Sequence, residues 1–298
     1  MLVTGVGGMV GSYVQQVFSD FDLMLTDLTE PPHPLDIRDP QGVMRAVMET
    51  RPNFVLHLAA ATDVDRCEQD PDWAFHTNAI GTHNVALACQ ASGAIMIYIS
   101  TAGVFFGDQE ELYTEFDEPR PSYLYGRSKL AGEQAVTALL SRYYIVRAGW
   151  MLGGGRKDKK FVGKIARLIA EGKNPLRIIN DKWGTPTYAK DLLRGIRILI
   201  GTGYYGVFHM ANQGKASRYD MALVVRDALN RPDVEIVPIS SDQFPLPAPR
   251  PRSEAMRNFK LECLGLHTMR SWQEALREYV QEELAPELLA SGVPEARR

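Results

Sequence analysis

Leu2-Val3-Thr4-Gly5-Val6-Gly7-Gly8-Met9-Val10-Gly11 stands at the head of the chain and decides the fold. A short apolar run enters a turn with glycines at 5, 8 and 11, and a helical pattern follows over residues 11–18. A strand-to-helix turn that holds a pyrophosphate needs a tight bend, close backbone approach to the phosphates, and close packing of helix on strand. Glycine meets each need by lacking Cβ, and the helix N-terminus adds N–H donors and a positive dipole end. Glycine-rich turns also serve only as turns, so position carries more weight than composition. A second apolar run, 23–25, leads to Asp27, the spacing at which a carboxylate meets the adenosine ribose hydroxyls of a dinucleotide. The bland alternative is a strand-end turn residue. A carboxylate there repels a 2′-phosphate and no arginine follows it directly, which modestly favours NAD over NADP. Only Met1-Leu2-Val3 precede the turn, short for a central strand, so the true start is expected upstream.

Working outward, short apolar runs alternate with longer helical patterns. Residues 43–49, 76–92 and 128–140 read as helices; 54–61, 95–100 and 144–147 read as buried strands. Runs apolar on both faces and separated by helices predict an α/β fold, a doubly wound parallel sheet with helices on each side. Beyond about residue 150 the pattern becomes irregular. Gly153-Gly154-Gly155 and Arg156-Lys157-Asp158-Lys159-Lys160 read as a solvated loop, which could close over an anionic substrate, with a helix over 161–171. Phe244-Pro245-Leu246-Pro247-Ala248-Pro249-Arg250-Pro251 cannot be helix or central strand. An amphipathic helix is expected over 271–289, then a frayed end. This division predicts a dinucleotide-binding domain over 1–150 and about 187–213, with a smaller α+β substrate-binding lobe over about 151–186 and 214–298.

Composition narrows the function. The 298 residues carry 33 basic and 36 acidic side chains, a net charge of −3, with 45% hydrophobic and 23% charged residues. That excludes intrinsic disorder and offers no basic excess for nucleic acid. No apolar run approaches the ~20 residues that span a bilayer. Cys67, Cys89 and Cys263 show no paired or metal-like spacing, which fits a reducing cytoplasm. The first element begins at residue 2, which leaves no room for a signal peptide. The six histidines, His57 among them, show no ligand spacing and are expected in core or surface roles.

Tyr125 and Lys129 lie four apart at the head of the 128–140 helix, so both can face one side of it. Tyr-x-x-x-Lys alone is a common accident, but this pair follows a strand ending in Ser100-Thr101. A hydroxyl at a strand's carboxyl end, a tyrosine and a lysine make a proton-donating set. Free tyrosine is too weak an acid for efficient work near neutrality, and a neighbouring ammonium is expected to lower its pKa. The ammonium can also grip a nicotinamide ribose, and the Thr101 hydroxyl can bond a substrate carbonyl oxygen. The alternative is a surface tyrosine beside a solvated lysine.

With these residues in view, the chain resembles the extended short-chain dehydrogenase/reductases that act on nucleotide sugars. The resemblance rests on the glycine turn, Leu58-Ala59-Ala60-Ala61, Asn78, Ser100-Thr101 and Tyr125-Gly126-Arg127-Ser128-Lys129. Within that superfamily it is most similar to the dTDP-4-dehydrorhamnose reductase family. Further stretches matching that family are Ala61-Thr62-Asp63-Val64-Asp65-Arg66-Cys67-Glu68, Arg147-Ala148-Gly149-Trp150, Gly184-Thr185-Pro186-Thr187-Tyr188, Pro249-Arg250-Pro251 and Ser271-Trp272-Gln273-Glu274-Ala275-Leu276, and those of the second half are specific to it.

The resemblance implies a Rossmann sheet and a pyrophosphate held by Gly5, Gly8, Met9, Val10 and Gly11. It places Asp27 on the adenosine ribose, Asp36 and Ile37 beside the adenine, and Ala59, Ala60 and Ala61 along the path to the nicotinamide. Asn78 would support the central strands. Tyr125 would be the proton donor, Lys129 the ribose clamp and Thr101 the carbonyl partner; Trp150, Thr185 and Arg250 would line the sugar-nucleotide pocket. The implied activity is NAD(P)H-dependent reduction of a 4-keto-6-deoxy sugar nucleotide in the cytoplasm, by a chain that the family suggests is a homodimer. A nucleotide-sugar epimerase and a non-catalytic NAD(P)-binding regulatory subunit are the alternatives. Where the family reads Ser-Thr-Asp-Tyr-Val-Phe this chain has Ser100-Thr101-Ala102-Gly103-Val104-Phe105, so Ala102 and Gly103 are expected to alter the wall beside the sugar. The family's magnesium relies partly on an acidic residue in the first helix; residues 12–18 have none, so no metal is expected.

Overall fold

A computed structural model describes residues 1–29 and 33–290, so the expected frayed end beyond Ser291 lies outside the described residues. The strands are β1 (Leu2–Thr4), β2 (Met24–Asp27), β3 (His33–Pro34), β4 (Phe54–His57), β5 (Ile95–Thr101), β6 (Tyr143–Ala148), β7 (Trp150–Leu152), β8 (Leu176–Ile179), β9 (Trp183–Gly184), β10 (Pro186–Tyr188), β11 (Gly206–His209), β12 (Ala216–Ser217), β13 (Ile236–Ile239) and β14 (Ser253–Glu254). Among the described residues, seven of them form one sheet in the order β11-β6-β5-β4-β1-β2-β3, parallel at every pairing. The order reverses beside β1, between β2 on one side and β4 on the other. That is the topological switch point where doubly wound sheets bind ligands outside the carboxyl ends of their strands.

The all-apolar strands are buried because both faces are covered. Val3, Leu56, Ile97, Tyr144 and Val146 join one core, which continues through the Ala189–Ile200 helix into the second half of the chain. Leu2, Val55, Met96, Tyr98 and Ile145 join the core on the other face, closed by Val43, Val47, Val85 and Val136. Alternating residues of one strand thus feed opposite cores, as a two-sided parallel sheet requires. The smaller sheets β10-β7, β12-β9-β14 and β13-β8 belong to the second half. The proline-rich stretch carries neither helix nor strand over 244–251 apart from one short turn before it, Ser241–Gln243.

Some boundaries differ from the sequence expectation. The first helix begins as a 3-10 turn, Val10–Tyr13, and only Val14–Val17 is α-helical. β4 ends at His57, and residues 58–61 leave the sheet to form a floor at its edge. The helix carrying Tyr125 starts earlier than expected, at Leu124, so Tyr125 lies in its first turn. Two short helices, Val64–Gln69 and Pro71–Phe75, were not anticipated; Asp63 and Asp70 cap them through their side chains. The C-terminal helix is interrupted by a π-helical turn at Val280–Leu284.

Candidate active site

The glycine turn takes its shape from contacts that exclude side chains. Gly5 has φ +76°, and a Cβ there would stand 2.5 Å from the Ala59 nitrogen. At Gly11 a Cβ would meet the Val6 carbonyl oxygen at 2.2 Å, so Gly11 lets the helix pack on the turn. At Gly8 a Cβ would make only an ordinary contact, 3.4 Å from the Gly5 carbonyl oxygen, and this backbone lines the neighbouring groove. The N–H of Gly7 donates to the Asp27 carboxylate at 2.8 Å, fixing the second strand's end beneath the turn.

A groove runs along this edge. Gly5, Gly8, Met9, Val10, Asp27, Asp36, Ile37, Ala59, Ala60 and Ala61 all line it, with Arg38, Thr62, Trp73, Thr77, Met151 and Lys160. Of the residues expected to hold a dinucleotide, Gly11, Asn78, Tyr125 and Lys129 do not line the groove. Asn78 is fully buried; its amide nitrogen donates to the Ala61 carbonyl (3.0 Å) and the Ser128 hydroxyl (2.9 Å), and its oxygen accepts from the Ala61 N–H (2.8 Å). It ties the groove floor to the Tyr125 helix. Arg38 is clamped by Asp36, with contacts of 2.7–3.1 Å.

Thr101 ends β5, its hydroxyl accepts from the Gly103 N–H at 3.1 Å, and it lies close enough to Tyr125 to favour the phenolate. Lys129 is buried, its ammonium 4.1 Å from the centre of the Tyr98 ring. Burial depresses the Lys129 pKa to about 7, opposed by the charge of Glu133. The expectation that an ammonium lowers the Tyr125 pKa is corrected: burial pushes it well above the ordinary phenol value, opposed by the Thr101 hydrogen bond. The Lys129 ammonium lies against the Tyr98 ring, and the burial of the phenol dominates. Tyr125 is therefore held as the neutral acid.

Beneath the pair lies a charged support. Glu133, one helical turn beyond Lys129, accepts from Arg147 at 2.9 and 2.7 Å and from the Ser100 hydroxyl at 2.5 Å, all buried. His57 is buried against the Thr4 and Thr82 hydroxyls at 2.8 and 3.2 Å. Burial and the nearby Lys129 charge lower its pKa to about 3, so it is a neutral tie between strand and helix.

The expected substrate wall is arranged differently. Ala102 and Gly103 are buried, and a Cβ on Gly103 would strike the Tyr123 hydroxyl at 2.1 Å. The missing side chains are thus replaced by Tyr123, which donates to Glu254 at 2.5 Å. The other Glu254 oxygen accepts from the Trp150 indole N–H at 2.9 Å, and the Arg218 guanidinium stacks 3.7 Å from the Trp150 ring. Tyr123, Arg218 and Glu254 were missed by sequence reasoning; Tyr123 and Glu254 are 131 residues apart, so no local spacing could pair them. Thr185 is also reassigned: it is buried, and its hydroxyl accepts from the Met256 N–H at 2.8 Å, so it fixes backbone rather than facing an open pocket. Arg250 is half-buried and reaches Asp65 at 2.9 Å.

Residues 1–285 match the family model described as "RmlD substrate binding domain". A dTDP-4-dehydrorhamnose reductase of Mycolicibacterium smegmatis is 37% identical over 282 residues, 94% of this chain and 84% of that one. Two solved structures superpose with a TM-score of 0.89, each covering 94% of this chain and 98% of the other. One is a dTDP-4-dehydrorhamnose reductase from Clostridium acetobutylicum, 37% identical; the other is the enzyme from Bacillus anthracis in complex with NADP, 36% identical. The chain therefore belongs to the RmlD substrate-binding domain family of extended short-chain dehydrogenase/reductases.

Proposed function

We propose that the protein reduces the 4-ketone of a dTDP-linked 6-deoxy sugar, as a dTDP-4-dehydrorhamnose reductase does, with Tyr125 as proton donor. The observation that carries this reading is a neutral phenol packed against Ala61, which lines a groove headed by the glycine turn, with the Thr101 hydroxyl and a buried lysine on the elements behind it. The groove fits a nicotinamide dinucleotide: Gly8 leaves the space that a Cβ would enter, and Asp27 presents a carboxylate at the far strand end. Gly8, Met9 and Val10 would hold the pyrophosphate, Asp27 the adenosine ribose, Asp36 and Ile37 the adenine side, and Ala59, Ala60 and Ala61 the nicotinamide side. The reduced nicotinamide supplies the hydride.

The chain's own residues do the rest. Thr101 donates to the ketone oxygen and holds it against Tyr125. The Tyr125 hydroxyl gives its proton to that oxygen as negative charge develops, the contribution expected of a general acid. Lys129 steadies the phenolate left behind, and Glu133 keeps the ammonium charged against its burial. Trp150, oriented by Glu254, and Arg250 face the nucleotide sugar; an arginine fork suits diphosphate oxygens. Asp27 favours NADH over NADPH modestly, since it would oppose a 2′-phosphate.

The test is loss of reduced-nicotinamide absorbance with NADH and with NADPH. The substrate is freshly made dTDP-4-keto-6-deoxyhexose with its 3,5-epimerase. Stoichiometric consumption is expected, with a lower KM for NADH than for NADPH. Binding without consumption would overturn the reading.

A further inference from the structure

We propose that Lys160 is a cofactor-binding residue, an ammonium brought from the second half of the chain to the pyrophosphate of the dinucleotide. The inference rests on reading the groove as a dinucleotide site. Lys160 lines that groove together with Met9 and Val10 of the glycine turn. Its Nζ donates to a single acceptor, the Thr62 carbonyl, at 3.1 Å, and among the described residues no carboxylate lies within 4 Å of it. The side chain is open to solvent, yet the groove around it is crowded enough that burial lowers its pKa. Arg38, the other cation in the groove, is already paired with Asp36. Lys160 is therefore the cation there with donors to spare.

Helix formation does not explain this residue. Lys160 is the N-cap of the Phe161–Ala170 helix and makes no side-chain capping bond. Lysine is a poor N-cap, and its charge opposes the positive end of the helix dipole. Asp158 does the capping instead: its carboxylate accepts from the Lys160 N–H at 2.9 Å and the Gly163 N–H at 3.1 Å. Tyr279 donates to the same carboxylate at 3.1 Å.

The segment before Lys160 is held equally firmly. The Gly154 N–H donates to the Tyr13 hydroxyl at 2.6 Å, and Tyr13 donates to Glu283 at 2.5 Å. A Cβ on Gly154 would lie 3.1 Å from the Met9 Cα. Residues 153–160 thus rest on the glycine turn at the Gly154 end and reach the Thr62 carbonyl at the Lys160 end, so the ammonium stands over the groove that the turn opens. Lys160 shares this groove with the glycine turn, whereas Trp150, Arg218 and Arg250 do not line it, and this favours the dinucleotide's diphosphate; Arg218 is near enough to act on the Lys160 charge, so dTDP is the competing ligand in the test.

The experiment compares wild type, Lys160→Met and Lys160→Arg by calorimetric binding of ADP-ribose, NADH and dTDP. Circular dichroism and melting of each variant without ligand check that it is folded, and Lys160→Gln serves if Lys160→Met is not. Loss of one charge-assisted phosphate contact should weaken ADP-ribose and NADH about tenfold in Lys160→Met, with a shallower salt dependence. Lys160→Arg should restore most of the affinity, and dTDP should bind as to wild type. Unchanged ADP-ribose affinity in the folded variant overturns the proposal while leaving the groove reading intact. Loss confined to dTDP overturns it by moving the ammonium to the substrate's diphosphate. A wild type that binds neither ADP-ribose nor NADH removes the groove reading, and the proposal with it.

Discussion

Replacing Lys129 by methionine should make the protein more stable while disabling it. The ammonium is buried, and burial lowers its pKa from 10.5 to about 7. At roughly 1.4 kcal/mol per pKa unit, that fall represents a penalty of about 5 kcal/mol for keeping the charge in the folded state, an upper bound. Methionine keeps the length and apolar stem but forfeits the contact with the Tyr98 ring, worth about 0.5–2 kcal/mol. A net gain of about 1–4 kcal/mol at neutral pH is expected. Its pH dependence is the diagnostic part. Between pH 7 and 10.5 the unfolded lysine holds a proton that the folded one has lost, so wild-type stability rises with pH across that window. The advantage of Lys129→Met should therefore be greatest at or below pH 7, shrink through the window and vanish above it. Urea unfolding of both proteins without cofactor, at several pH values from 6.5 to 10, gives the difference directly, since groups common to both cancel. A variant less stable than wild type at pH 7, or an advantage that does not shrink with pH, would refute the reasoning.

Two further substitutions separate support from substrate contact. Arg147→Met strands the Glu133 carboxylate, buried 2.7 Å from the lost guanidinium, and should cost about 3–5 kcal/mol in denaturant unfolding; a loss below about 1 kcal/mol would contradict it. Thr185→Val leaves the buried Met256 N–H without its acceptor and should cost about 1–3 kcal/mol, with KM for the nucleotide sugar changed less than about threefold. A large rise in KM at unchanged stability would return Thr185 to the substrate pocket.

The parts of the site that were legible in sequence are those whose chemistry is local. The glycine turn, the Asp27 spacing and Tyr125-x-x-x-Lys129 each lie within a few tens of residues, and their geometry follows from one turn or one helix face. The alternation of apolar runs with helices was enough for the parallel sheet, because strands covered on both faces cannot alternate in polarity. Residues 58–61 misled for the same reason: an apolar floor to a groove reads like more of the strand before it. The helices behind Asp63 and Asp70 were missed although their capping aspartates stand in the sequence, since helices of six and five residues are too short to show an apolar stripe. The supports were out of reach altogether. Glu254 meets Tyr123 and Trp150, and Glu283 meets Tyr13 and Tyr188, only after the second half of the chain has folded onto the first. The fate of Gly103 belongs with these: Ala102 and Gly103 were expected to alter the wall beside the sugar, and the Tyr123 hydroxyl takes the place that a Gly103 side chain would enter.

The most direct test of the central claim is single-turnover reduction of dTDP-4-keto-6-deoxyhexose by wild type and Tyr125→Phe, each saturated with the same reduced cofactor. Removing one hydroxyl leaves the ring, and cofactor affinity should be unchanged. The account predicts a rate reduced about 10²- to 10⁴-fold, the usual contribution of a positioned general acid. A Tyr125→Phe protein that reduces the ketone within about threefold of wild type would show that the proton comes from elsewhere, and the assignment of Tyr125 would fail.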